Sequence, residues 1–298
     1  ANITAIRTLK SIEKRMADGG PHANGEEQEI LAQYSGWGGL SDAFEPNKDS
    51  WHGEYTELKS LLTEEEYAAA RSSTLTAFYT PPAVIDAMYT ALRKMGVGAG
   101  TILEPSMGVG AFFGQSHSYL YEPTTRLFGV ELDSLTGRIA RQLYQKANIQ
   151  ITGFEKANLP DSFFDVVIGN VPFGDYSVVD PQYNRLHFKI HDYFFAKSID
   201  KLRTGGIIAF VTTSGTLDKK SEEVRRYINA RCDFIGAVRL PDSTFKSAGT
   251  KAMADIIFLQ KRDRILEQDA SCCTPPRPRM DFPSTAILPN TPKWSAAH

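Results

Sequence analysis

The sequence predicts an α/β protein: a doubly wound, mostly parallel sheet with an antiparallel edge strand, plus an N-terminal helical region. Three observations predict it. From residue 100 onward, short β-rich runs alternate with helical stretches, the pattern of a parallel sheet covered on both faces. The first seventy-five residues carry apolar positions at helical spacing. The first strand of the alternating part runs into a glycine loop that opens a helix.

The helical region, residues 1–75, rests on Ile3, Ile6, Leu9 and Ile12, and on Thr63 followed by Glu66, the pattern of a capping box ahead of Tyr67 to Arg71. Between its helices, Tyr34-Ser-Gly-Trp-Gly-Gly-Leu40 is too short and irregular for an element and reads as a packed connector. In residues 76–263 the strand runs are Thr101 to Leu103, Leu127 to Leu132, Ile149 to Thr152, Phe164 to Gly169, Ile207 to Thr212, Phe234 to Leu240 and Ala254 to Gln260. Ser134 to Ala147, His191 to Leu202 and Glu222 to Arg231 read as helices between them. A polar loop without a helix signal joins the last two runs, which predicts an antiparallel edge. Residues 264–298 form a proline-rich tail or linker, with Pro275, Pro276, Pro278, Pro283, Pro289 and Pro292.

With 33 basic and 35 acidic side chains the formal net charge is −2, which excludes a globally cationic nucleic-acid coat. The basic stretch from Lys219 to Arg231 reads first as a solvated helix face; with Lys246 and Lys251 it is also a candidate for meeting phosphates. Cys232, Cys272 and Cys273 give neither a disulfide framework nor a zinc spacing. His187 and His191 have no third ligand at metal-site distance, so no metal is expected. No run approaches the roughly 18 apolar residues of a membrane span, and no secretory signal opens the chain. A cytoplasmic protein without membrane contact is expected.

The strand-loop-helix Ile102-Leu-Glu-Pro-Ser-Met-Gly-Val-Gly-Ala-Phe112 offers backbone N–H groups to a ligand. Its glycines at 108, 110 and 114 miss the dinucleotide fingerprint, and the Gly-Lys-Ser/Thr ending of a phosphate loop is absent. Glu104 at the strand end repels polyphosphate and suits a cationic ligand. Glu131, at the tip of the second strand, is placed to accept ribose hydroxyls. Asn170-Val171-Pro172-Phe173 closes a buried strand with a side-chain carbonyl, a constrained backbone carbonyl and a stacking face. Such a set recognises a planar amine. The lone pair of a ring-conjugated amine is delocalised, and two acceptors gripping its N–H bonds favour the pyramidal, nucleophilic form. An aromatic plate such as Phe173 adds about 1–3 kcal/mol per stacked base.

Together, Glu104-Pro-Ser-Met-Gly-Val-Gly-Ala-Phe112 and Asn170-Val-Pro-Phe173 resemble the cofactor loop and the (Asn/Asp)-Pro-Pro-(Tyr/Phe) motif of S-adenosylmethionine-dependent adenine-N6 DNA methyltransferases. Phe78-Tyr-Thr-Pro81 resembles the segment preceding their first helix, and Leu202 to Phe210 their helix-to-strand turn. Leu31 to Leu40 and Gly169 to Tyr176 resemble, more narrowly, the methylase portion of large helicase-fused proteins of conjugative elements and phages. The resemblance spans roughly residues 1 to 263. It implies a Rossmann-like methyltransferase sheet, S-adenosylmethionine as cofactor and DNA as partner, with a helicase in the same full-length protein. Cofactor contacts are implied for Tyr79, Thr80, Pro81, Glu104, Pro105, Ser106, Gly108, Gly110, Phe112, Glu131, Leu132, Phe154, Glu155 and Asn170. Asn170, Val171, Pro172 and Phe173 are implied as catalytic.

Two departures mark this chain. Val171 stands where the family has proline, although the backbone carbonyl used there is retained. Phe154 separates Gly153 from Glu155, whereas the adenine-contacting acid of the family follows its glycine directly. The same acceptor set would also serve a protein-glutamine or RNA methyltransferase, and a catalytically weak cofactor- or DNA-binding module of a larger helicase-methylase is the remaining alternative.

Overall fold

The structure, a computed structural model, describes residues 1–74, 79–241, 244–245 and 253–266. Phe78, Lys246, Lys251, Cys272, Cys273 and the prolines of the expected tail lie outside the described residues. Four helices open the chain: α1 (Asn2–Ala17), α2 (Gly25–Leu31), α3 (His52–Leu61) and α4 (Glu64–Ser73). Then come α5 (Pro82–Lys94), β1 (Thr101–Glu104), α6 (Ala111–Ser116), β2 (Arg126–Glu131), α7 (Ser134–Leu143), β3 (Asn148–Ile151) and β4 (Phe164–Asn170). The chain continues through α8 (Ile190–Lys201), β5 (Leu202–Thr213), α9 (Gly215–Asp218), α10 (Glu223–Arg231), β6 (Cys232–Arg239) and β7 (Ala254–Lys261).

The strands form one sheet in the order β3-β2-β1-β4-β5-β7-β6. The first five in that order are mutually parallel. β7 is antiparallel to both neighbours, and it inserts between β5 and β6, so the outermost strand on that side is β6. Chain order runs outward from β1 to β3 and then restarts at β4 on the other side. The crevice between β1 and β4 is therefore the topological switch point, where open α/β sheets bind ligands beyond their carboxyl ends.

Period-two alternation explains why the central strands are apolar throughout. Val166 and Ile168 of β4, Ile207, Ala209 and Val211 of β5, and Ile256 and Phe258 of β7 pack with Ile85, Met88, Tyr89 and Leu92 of α5. Their neighbours Val167, Ile208, Phe210, Ile257 and Leu259 pack on the other face with Tyr193, Phe194, Phe195 and Ile199 of α8. Both faces are covered, so residues 166–168, 207–211 and 256–259 are all buried. β5 begins earlier than its apolar run: Leu202 pairs with Phe164, and the register then shifts before Ile207 resumes pairing with Val166. The turn Arg203–Gly206 is absorbed as a bulge, with Gly205 at φ 75°.

The N-terminal helices dock on α7. Ile6, Leu9 and Ile12 of α1 share a core with Leu135 and Ile139 of α7, with Tyr34, Trp37 and Phe44, and with Val109 from the loop after β1. Thr63 and Glu66 form the expected capping box of α4, and Asn24 with Glu27 forms another on α2. Glu66 also meets Lys10 at 2.7 Å and Arg138, whose other nitrogen meets Glu13 at 2.9 Å. Three helices are thereby tied by one ionic cluster. No helix among the described residues is long and apolar enough to cross a membrane.

Candidate active site

Glu104, Glu131 and Asn170 end β1, β2 and β4, so the parallel order alone brings them to one edge of the sheet. Glu104 is 2% exposed, and its Oε2 has no hydrogen-bond partner among the described residues. Burial, and then the charge of Glu131, push its carboxyl well above the usual carboxylate range. Glu131 accepts the Gly108 N–H at 2.7 Å through Oε2 and the Asp133 N–H at 2.8 Å through Oε1. Burial outweighs these N–H donors and pushes its carboxyl up to about 7.

The loop after β1 is shaped by its glycines. Gly108 and Gly110 hold φ of 55° and 86°, the left-handed region that a side chain resists. Gly110 accepts the Tyr144 hydroxyl at 2.7 Å through its carbonyl, and a Cβ there would lie 2.4 Å from the Tyr144 ring. Met107 N–H donates to the Val130 carbonyl at 3.0 Å, tying the loop to β2. The loop thus presents backbone beside the buried Glu104 and the half-buried Glu131, and its side chains Met107 and Val109 point into protein.

Asn170, Val171, Pro172 and Phe173 follow at the next strand end. The Ser106 hydroxyl donates to the Asn170 carbonyl at 2.8 Å, joining the glycine loop to this motif across the switch point. Val171 donates its N–H to the Val211 carbonyl at 3.0 Å, and its side chain is 2% exposed. A proline could not make that ladder bond, so valine extends the β4–β5 pairing by one residue here. Phe173 is half-buried against both core layers. Beyond it the chain is held at Asp180, which accepts the Tyr193 hydroxyl at 2.7 Å and Lys197 Nζ at 3.0 Å. Burial would raise the Asp180 pKa, but Tyr193 and Lys197 overcome it and lower it.

Tyr79 and Thr80 enter from the segment before α5. Thr80 is 6% exposed, with an Oγ1 that lacks a partner among the described residues. The Tyr79 ring lies against Gly108, and burial, then Tyr34, Glu131 and Asp133, raise its hydroxyl well above the ordinary tyrosine value. Leu132 stands 76% exposed beside Glu131. Phe112 and Phe154 are different: both rings are core, at 2% and 3% exposure, Phe112 under α5 and Phe154 against Tyr193 and Phe194. Neither ring faces an open surface. Glu155 folds its carboxylate over Gly153, where a Cβ would meet Oε1 at 2.2 Å.

A family model described as N-6 DNA Methylase matches residues 61–272. The chain belongs to this family. Over 267 residues it is 26% identical to Defense against restriction protein B of Escherichia phage P1, covering 88% of this chain but 10% of that protein. The chain thus spans about a tenth of the phage relative. Among solved structures it resembles a Listeria monocytogenes protein described as a class I S-adenosylmethionine-dependent methyltransferase, with a TM-score of 0.53 at 17% identity over 90% of both chains. A type I restriction-modification methyltransferase subunit from Streptococcus thermophilus gives a TM-score of 0.53 at 18% identity, covering 87% of this chain and 66% of that one. At these identities the likeness establishes the fold, a class I methyltransferase sheet.

Asp133, Val109 and the Asp180 anchor were not anticipated from the sequence. Asp133 was readable: an aspartate three residues before Thr136 is a helix cap, and it accepts the Thr136 N–H at 2.8 Å. Val109 and Asp180 depend on partners far along the chain. The basic helix α10 makes local contacts, Arg225 to the Leu217 and Lys219 carbonyls and Arg226 to Glu222.

Proposed function

We propose that this chain transfers a methyl group from S-adenosylmethionine to the N6 amine of adenine in DNA. The observation that carries the reading is the 2.8 Å bond from the Ser106 hydroxyl to the Asn170 carbonyl. It sets the glycine loop and the amine-recognition motif side by side at the switch point of a methyltransferase sheet. The site's chemistry fits this donor: Glu104 Oε2 and Thr80 Oγ1 are buried without partners among the described residues, and a ligand carrying a sulfonium and an ammonium would supply what they lack.

Tyr79, Thr80, Pro81, Glu104, Pro105, Ser106, Gly108, Gly110, Glu131 and Leu132 would hold the donor, Glu131 through ribose hydroxyls and Leu132 by covering an apolar face. Phe112, Phe154 and Glu155 could take part only from their present positions, the two rings as buried support. When bound, the donor supplies an electrophilic methyl group on its sulfonium. The Asn170 side-chain carbonyl and the Val171 carbonyl accept the amine's N–H bonds and draw its lone pair out of conjugation, while Phe173 stacks on the ring. An adenine inside a duplex cannot reach these groups, so it must be extruded, at a cost of a few kcal/mol. Catalysis is then positioning and electrostatics. In the longer polypeptide suggested by the phage relative's length, a helicase portion would present the DNA, and the enzyme would work in the cytoplasm.

The test is Asn170→Ala, assayed for tritiated methyl incorporation into DNA, RNA and protein in parallel. We expect methylation of DNA by the parent and a loss of about 100-fold or more in the variant. Methylation by the variant at the parental rate, or incorporation into RNA or protein alone, would refute the reading.

A further inference from the structure

The connector Tyr34-Ser-Gly-Trp-Gly-Gly, which the sequence suggests is mere packing, lies against the donor loop. Asn2, at the start of α1 and 8% exposed, spends its whole side chain on it: Nδ2 donates to the Gly36 carbonyl, and Oδ1 accepts the Ser35 N–H at 2.9 Å and the Ser35 hydroxyl at 3.2 Å. Gly36 holds φ 67°, and a Cβ there would lie 2.8 Å from Tyr79 Cε2 and 3.1 Å from its hydroxyl. The opposite edge of the same ring meets Gly108, where a Cβ would lie 3.1 Å from Cε1. The Tyr79 ring is thus seated between two glycines, one from the N-terminal layer and one from the donor loop.

Two further observations tie that seat to the N-terminal core, and a third places it beside a buried polar group. Val109, between the two loop glycines, is 9% exposed and packs in the core of the N-terminal helices. Tyr34 and Trp37, at 2% and 3% exposure, join an edge-to-face series that continues through Phe44 to Tyr67. Thr80, whose buried hydroxyl lacks a partner among the described residues, is the next residue after the clamped ring.

We infer that the N-terminal helical layer is one wall of the donor pocket, with Asn2 and Gly36 as positioning residues that seat Tyr79 against the donor loop. The inference rests on the proposed function, because it assigns the layer a share in holding that donor. Asn2→Ala releases the connector, and Gly36→Ala drives a methyl into the Tyr79 ring. Each change should move donor affinity with little effect on the chemical step.

The experiment uses calorimetry with S-adenosylhomocysteine on the full chain, paired with methyl-transfer kinetics. Asn2→Ala and Gly36→Ala should each weaken binding about tenfold, with the loss in KM for the donor and kcat within about twofold of the parent. Gly19→Ala is the control for backbone strain, since Gly19 has φ 79° and its added Cβ meets nothing within 4 Å. It should leave affinity within about twofold. In a Tyr79→Leu background the ring is gone, so adding Gly36→Ala should cost less than about twofold more, which a general loss of stability would not reproduce. Parental affinity in both Asn2→Ala and Gly36→Ala, or an undiminished Gly36→Ala effect without the ring, overturns this inference alone. No binding by the parent overturns the proposed function and the inference with it.

Discussion

Lowering the pH from about 8.5 to about 5.5 is expected to weaken donor binding roughly thirtyfold, and Glu131 sets that figure. Both of its oxygens already accept backbone N–H groups, from Gly108 at 2.7 Å and Asp133 at 2.8 Å, and each has a further lone pair for a ribose hydroxyl. Protonation turns one oxygen into a donor that faces an N–H. With its carboxyl pushed up to about 7 by burial, the group changes state inside the accessible range. The ionised fraction goes from about 97% at the higher pH to about 3% at the lower one, and affinity follows it if only the ionised form binds. Stability has the opposite sign. A carboxyl raised from 4.5 to about 7 favours the fold while neutral. That contribution is fully present below the unfolded value and is lost as pH rises through the folded one, an effect of about 3 kcal/mol. Calorimetric titration with S-adenosylhomocysteine across the range measures the first effect, and urea unfolding measures the second. A flat affinity profile in the parent, or the same slope in Glu131→Gln, would refute the reasoning.

Further outcomes are expected elsewhere. Glu104→Gln should raise the urea midpoint more at pH near 8 than near 5, because it removes a buried carboxyl that burial and Glu131 already disfavour as an anion, while weakening donor binding. Val171→Pro should cost about 1–3 kcal/mol in urea unfolding, since it deletes the N–H that bonds the Val211 carbonyl. Arg138→Ala should cost about 1–2 kcal/mol and speed amide exchange in α1 and α4, because Glu13 and Glu66 lose their shared partner. Lys197→Met should cost about 3 kcal/mol, leaving Asp180 buried with the Tyr193 hydroxyl but no cation.

The sheet was legible because its signal is local. The apolar runs of β4, β5 and β7 and the helical spacing of Ile6, Leu9 and Ile12 need no knowledge of distant residues, and the strand ends Glu104, Glu131 and Asn170 follow from the strands. The position of β7 was less legible, since an antiparallel strand reads the same whether it lies at the edge or one place inside. Rings were least legible. Phe112 and Phe154 sit beside motif residues in sequence, but a residue at a helix start or in a single 3-10 turn gives no period from which to infer its face. The bond from Ser106 to Asn170 and the clamp from Asn2 to Gly36 join residues 64 and 34 apart, and neither has a spacing rule. Gly36 carried a readable hint, a glycine beside a tryptophan, without a hint of the ring it accommodates.

The anchor at Asp180 has a mechanical corollary. The backbone between Asn170 and Asp180 is fastened at one end to the sheet and to Ser106, and at the other to α8 through Tyr193 and Lys197. It behaves as a short strap with both buckles closed. It is pinned midway as well: the Tyr176 carbonyl accepts the Ile190 N–H at 2.8 Å and Asp175 pairs with Lys189 at 2.7 Å, while the side chains of Tyr176 and Val179 stand 51% and 79% exposed. Slack for a guest beside Phe173 therefore comes from releasing the Tyr176–Ile190 bond at the start of α8, and the short lengths between pins cap how far the strap can bow.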